Sequence, residues 1–248
     1  MEKDFLFQKK IRCAVCEGEF QEKVVRTARL RRQQPDFDLR PRFADIDTLK
    51  YDVYSCPHCG YAALSRYFEP LTKGQIQLVV ENICVNFTPQ AGDAPEIYDY
   101  DTALFRYEQA LRCSAAKRAN TSELAYTCLK LSWLCRSMGE SMPESTAEEQ
   151  AKKAQLKQKE EAYYKKAYEG FQRALSTEEF PICGMDTLTM DYLLACIACH
   201  FKEYSFASKA VSNILGSQTA DRRMKDKALD LKDIIVKAIK AEAAKKNA

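Results

Sequence analysis

Cys13-Ala14-Val15-Cys16 and Cys56-Pro57-His58-Cys59-Gly60 decide how the N-terminal part of this chain folds. Each is a Cys-x2-Cys turn. Together they offer four thiolates, the tetrahedral set that zinc takes at about 2.3 Å. Gly60, directly after the second pair, permits a turn whose backbone N–H groups point at sulfur. In the first turn Gly18 comes one place later, behind Glu17. The pairs are separated by 39 residues, more than the simple motif allows, so the expected module is a zinc ribbon with a long insertion. The candidate metal ligands are Cys13, Cys16, Cys56 and Cys59. Four thiolates leave no open position, which points to a structural ion (Zn²⁺) and away from hydrolysis. Iron in a rubredoxin-like site is the alternative, because tetrahedral S4 suits both metals.

The other seven of the 11 cysteines are scattered from Cys84 to Cys199 and read as small buried core residues. Cys-Pro-His-Cys also matches the active site of exported disulfide oxidases. The chain starts without a basic, apolar export signal, and a second Cys pair exists, so metal binding is the better reading. Cys196-Ile197-Ala198-Cys199-His200 matches c-type haem attachment but falls inside an amphipathic helical pattern. With only two histidines, no Ser-His-Asp set or Gly-rich phosphate loop stands out.

Around the two turns, residues 1–70 have strand and turn character, with Val24-Val25 and Tyr51-Asp52-Val53-Tyr54 strand-like in composition. The insertion from Arg26 to Asp47 alternates Arg and Asp. Arg26, Arg29, Arg31, Arg32, Arg40 and Arg42 are candidate contacts to phosphate or a partner. Pairing with Asp36, Asp38, Asp45, Asp47 and Asp52 within the insertion is the competing and favoured expectation.

From Thr72 the pattern turns helical. Thr72-Lys73-Gly74-Gln75 and Thr146-Ala147-Glu148-Glu149 are capping boxes. A Thr88–Pro95 linker separates the first helix from one capped by Asp101 and ending near Lys117. Further helices are expected over about 122–138, from the Thr146 box through a long charged stretch that turns amphipathic at Tyr163, Ala167, Phe171 and Ala174, and over about 186–202, 205–215 and 219–244. The fourth carries Glu148–Lys152, Glu149–Lys153 and Glu161–Lys165 at helical i,i+4 spacing. Small and large residues alternate at Ala103-Tyr107-Ala110, Ala167-Phe171-Ala174 and Ala195, Ala207, Ile214, as in tetratricopeptide-type hairpins. The spacing between sets is irregular, so an ordinary antiparallel bundle is the simpler alternative. The expected fold is mainly α with a small β part: a zinc-ribbon-like module over 1–70 and an all-α tetratricopeptide-like domain over 71–248.

The net charge of +3 is too small to mark a nucleic-acid binder by itself. Its distribution is uneven. Residues 1–60 carry 12 Lys/Arg against 10 Asp/Glu and residues 222–248 carry 9 against 4, leaving 17 against 21 between them. No apolar run is long enough to span a membrane, and a cytoplasmic location is expected.

The segments Val25-Arg26-Thr27-Ala28-Arg29-Leu30, Asp38-Leu39-Arg40-Pro41-Arg42-Phe43 and Tyr51 to Ala63 resemble the bacterial domain of unknown function 2225 family. Ala91-Gly92-Asp93-Ala94-Pro95 and the helices after it are similar as well. The resemblance implies a cytoplasmic bacterial protein with four metal-binding cysteines at Cys13, Cys16, Cys56 and Cys59. It implies no activity. Glu17 departs from the family pattern, in which Gly is commoner after the second ligand. The function expected is non-enzymatic: a scaffold whose helical groove binds a protein or peptide. The alternatives are nucleic-acid binding through the Arg-rich insertion and electron transfer through a rubredoxin-like iron.

Overall fold

The structure, a computed structural model, describes residues 1–89 and 95–246. Most of the expected Thr88–Pro95 linker lies outside the described residues. Strands β1 (Leu6–Arg12) and β2 (Glu19–Val25) form an antiparallel hairpin in which Leu6 faces Val25 and Arg12 faces Glu19. Strands β3 (Val53–Ser55) and β4 (Ala62–Leu64) form a second hairpin, with Val53 opposite Leu64. Among the described residues seven α-helices follow: α1 (Lys73–Asn82), α2 (Tyr100–Ala116), α3 (Thr121–Ser141), α4 (Ala147–Thr177), α5 (Thr187–His200), α6 (Tyr204–Gly216) and α7 (Arg222–Lys246). The chain is therefore mainly helical with a small β part. Thr48–Tyr51 is a 3₁₀ turn, so the strand expected from Tyr51 starts only at Val53.

Two compact units result. One comprises Met1–Gln34 and Pro41–Gly170, the other Pro35–Arg40 and Phe171–Ala248. In the first, β4 lies against α2 because its side chains are short. Ala62 and Ala63 are fully buried, as are Ala103, Tyr107 and Ala110 on α2. A second group of side chains, Ile46, Tyr51 and Tyr98, packs with Phe5, Leu6, Val25, Leu30 and Ile97 under the first hairpin.

The helices of the first unit have a definite order. Ala125 of α3 sits against Gly170 of α4, where an added Cβ would come within 2.8 Å of the alanine Cβ. Eleven residues further along α3, Arg136 bonds Glu160, ten residues back along α4. α3 and α4 are therefore antiparallel. Lys152 of α4 pairs with Asp101 of α2 at 3.3 Å, and Lys159 with Glu108 at 3.0 Å. Both advance together, so α2 and α4 run parallel. The lysines expected to pair along α4 reach elsewhere: Lys152 to α2 and Lys153 to Glu144, before the helix.

Both capping boxes form. Gln75 and Thr72 bond reciprocally, as do Glu149 and Thr146. The cap of α2 is Asp99, which accepts from Thr102 N at 2.7 Å, and not Asp101. In the second unit α5, α6 and α7 pack around Met190, Leu193, Ile197, Val211, Ile214 and Leu231, all buried. Cys196 donates to the Phe37 carbonyl at 3.3 Å there, which accounts for the haem-like motif as a packed helix. Among the described residues no helix is long and apolar enough to cross a membrane.

Candidate metal centre

The two Cys turns are built alike. In the first, Cys13 N donates to Gly18 O at 2.9 Å and Glu17 N to Cys13 O at 3.0 Å. In the second, Cys56 N donates to Tyr61 O at 2.8 Å and Gly60 N to Cys56 O at 3.1 Å. Each turn closes the tip of its hairpin. Glu17 and Gly60 occupy the same place in the two turns, and both are left-handed, with φ of 60° and 76°. Glycine adopts this region freely, whereas a side chain adds strain. The first turn therefore carries at Glu17 the strain that Gly60 avoids in the second. Gly18, one place later, serves a different purpose: a Cβ there would come within 2.8 Å of the His58 ring.

The four sulfurs of Cys13, Cys16, Cys56 and Cys59 lie within 4.8 Å of one another. Cys13 to Cys59 and Cys16 to Cys56 are 3.6 Å each. A tetrahedron with metal–sulfur bonds of about 2.3 Å has edges of about 3.8 Å, whereas a disulfide measures about 2.05 Å. The spacing suits four thiolates around one ion and excludes disulfide bonding. Cys13 is pulled down to about 2 by the thiols of Cys56 and Cys59 that bond it. The same hydrogen bonds to Cys13 push Cys56 up to about 12 and raise Cys59 as well. Four thiolates this close repel one another, so ionising all four requires a cation. His58 adds no ligand. Its Nε2 lies 3.2 Å from the Glu19 carbonyl, joining the two turns.

The second turn is fixed from behind by α2. Gln109 Nε2 donates to Gly60 O at 2.9 Å, and Cys113 Sγ approaches the same oxygen at 3.7 Å. Cys113 in turn accepts from Ala62 N at 3.3 Å. Glu22, in the middle of β2, is 1% exposed and ties the first hairpin to the rest. It accepts from Arg106 Nη2 at 2.7 Å, Tyr98 OH at 2.8 Å and Ser55 N at 3.1 Å. Ser55 immediately precedes Cys56. Arg106 also donates to Val53 O at 2.6 Å and lies over the Tyr98 ring at 4.5 Å.

The sequence gives little sign of these supporting residues. Glu22 lies in a run of charged and polar residues and looks solvent-facing, and Gln109 carries no motif.

The arginines of the insertion lie elsewhere. Arg26 bonds Leu6 O at 3.1 Å, at the hairpin end remote from Cys13, and lies over the Phe7 ring. Six residues of strand, about 20 Å, separate it from the sulfurs, so it does not offset their charge. Arg31 holds Asp45 through both Nε and Nη2, at 3.1 and 2.5 Å. Arg42 reaches Glu140 on α3 at 2.7 Å. Arg40 pairs with Asp36 and is 1% exposed, out of reach of a phosphate in solvent. Arg29 and Arg32 are exposed, and Arg32 forms a backbone bridge to Phe43.

Compared with known families, the chain matches over residues 6–235 the one described as an uncharacterized protein conserved in bacteria, DUF2225. No curated protein matches, and no solved structure does.

Proposed function

The chain belongs to the DUF2225 family, and from that premise we propose that it is a non-enzymatic cytoplasmic scaffold. In this reading one structural zinc, held by Cys13, Cys16, Cys56 and Cys59, sets the N-terminal hairpins. The helices then present a groove to a protein or peptide. The zinc supplies cross-linking and charge, and the chain's own residues do the rest: Gln109 and Cys113 orient the second turn, and Glu22 orients the strand before it.

A cavity of about 420 Å³ between α3 and α4 carries the binding half of the proposal. Its small and apolar lining residues are Cys135, Gly139 and Leu156, which are buried, and Ala154, which is exposed. Its charged lining residues are Arg136, Lys153, Lys157, Glu140, Glu144 and Glu160, of which Arg136 pairs with Glu160 and Lys153 with Glu144. A lining of apolar residues among charges of both signs suits an extended or helical peptide of mixed charge. The order of α2, α3 and α4, antiparallel and then parallel again, supports a tetratricopeptide-like stacking of hairpins. The offset of 51 residues between Asp101 and Lys152 exceeds the usual repeat of about 34, so the array is irregular.

Affinity capture with the full chain and with Ala154→Arg tests this. A defined set of proteins retained by the first and lost by the second supports the groove. A set unchanged by the substitution contradicts it. Nucleic-acid binding is the second reading, favoured by the exposed Arg26, Arg29 and Arg32. It requires that recovered nucleic acid fall off steeply with salt and disappear on replacing those three by Ala.

A further inference from the structure

A cavity of about 390 Å³ lies beside the first hairpin, lined by Lys3, Leu6, Phe7, Gln8, Lys23 and Glu96. It shares no residue with the metal centre or with the cavity between α3 and α4. Gln8 and Lys23 are directly opposite each other across β1 and β2. Lys23 is 8% exposed. Among the described residues its ammonium makes no hydrogen bond and no ion pair, and it lies over the Tyr98 ring at 4.7 Å. The adjacent Glu22 has its carboxylate committed to Arg106, Tyr98 OH and Ser55 N. Glu96 stands 3.7 Å from Lys3, and both are exposed. Arg106 is thus matched by Glu22 and Lys3 by Glu96, which leaves Lys23 as a buried cation with no counter-ion among the described residues. Such a charge is costly to bury. Burial accordingly lowers the Lys23 pKa, against the attraction of Glu22 and reinforced by the charge of Arg106.

We propose that this cavity binds a small organic monocarboxylate, with Lys23 as its counter-ion and the Gln8 side-chain amide as a second donor. One negative charge is what the ion pairs around the cavity leave unfilled. A carboxylate offers two oxygens, one for the ammonium and one for an amide N–H. Leu6 and Phe7 supply apolar surface for the body of the ligand, and the cavity volume falls in the range of small-molecule sites. Inorganic phosphate has no apolar body to set against those two side chains, so it is the weaker ligand. The inference is independent of the metal and of the peptide groove, since it uses neither.

Isothermal titration of the full chain with hexanoate, hexanamide and inorganic phosphate, at constant ionic strength, tests this. Hexanoate is expected to bind more tightly than either of the others. Lys23→Met should weaken it about tenfold or more, the loss that follows removal of a hydrogen bond to a charged group. A second measurement needs no variant, so a Lys23→Met chain that folds poorly does not decide the outcome. Lysines are acetylated with limiting reagent, with and without hexanoate, and mapped by mass spectrometry. Protection of Lys23, with the lysines of α4 and α7 unchanged, supports the proposal. Absence of binding, hexanoate held equally well by a folded Lys23→Met, or phosphate or hexanamide binding as tightly as hexanoate overturns it. So does protection that spares Lys23, or a Lys23 that the reagent does not reach in the free chain.

Discussion

Glu22 and Arg106 form a 2.7 Å ion pair with the carboxylate 1% and the guanidinium 12% exposed. A charge pair this deep is held in place by its other bonds as much as by mutual attraction. Glu22 also takes Tyr98 OH and Ser55 N, and Arg106 also gives to Val53 O. Removing one partner leaves a buried charge uncompensated, at a cost of about 3–5 kcal/mol. Arg106→Ala is expected to lower stability by that order in urea unfolding. Loss below 1 kcal/mol would mean that the pair is not a structural tie.

The same network reaches the metal through Ser55. Glu22→Ala is expected to weaken zinc binding about 10–100-fold, the usual effect of removing a group that orients ligands. Competition with a chelator of known affinity measures it. Unchanged affinity in a folded variant would separate β2 from the metal centre.

At the two left-handed positions the expected effects have opposite signs. Gly60→Ala meets both a φ of 76° and the Phe87 ring at 2.3 Å, so it should be strongly destabilising. Glu17→Gly relieves a φ of 60° and should be neutral or stabilising by up to about 1 kcal/mol, less the exposed Arg12–Glu17 pair at 2.7 Å. Melting temperatures of the two variants check the ordering, and a tolerated Gly60→Ala would contradict the turn geometry.

Removing the metal should loosen the two turns unequally. Residues 53–64 stay attached to α2 through Gln109 and Cys113, whereas the tip of the first hairpin depends on the ion and on the His58–Glu19 contact. Hydrogen exchange after chelation is expected to speed up over residues 12–19 before residues 53–64. Equal acceleration in both would show that α2 does not hold the second turn.

Two aspartates give the helices an acid sensitivity. Hydrogen bonds from the side chains of Thr102 and Thr189, and then from their backbone N–H groups, hold the Asp99 and Asp186 carboxyls below the ordinary 3.8. A carboxyl depressed on folding contributes stability that is full above the unfolded value and lost as pH falls through the folded one. Asp186→Asn keeps a capping acceptor and removes the titration. Its melting temperature should match the parent near neutrality and decline less below about pH 4. Superimposable acid limbs would show that this cap carries no linkage.

The cysteine pairs and capping boxes were readable because their partners are two or three residues away. Cys13–Cys16 and Cys56–Cys59 carry their turn chemistry within five residues, and the Thr72 and Thr146 boxes need only the third residue on. What escaped depends on distant partners. Lys152 and Lys153 have glutamates at i−4, yet they bond Asp101 and Glu144, because packing brings carboxylates closer than the helix does. Arg42 finds Glu140, 98 residues away. Asp99 and Asp101 look equally suited to cap α2, and only the backbone path into the helix selects Asp99. Glu22 reads as a surface charge until Arg106 and Tyr98 fold over it.

X-ray absorption at the metal edge of the purified full chain tests the centre most directly. One zinc per chain, with four sulfur neighbours near 2.3 Å and no nitrogen or oxygen, is the result this account predicts. A chain that binds no metal, or an ion sharing its coordination with nitrogen or oxygen, would contradict it.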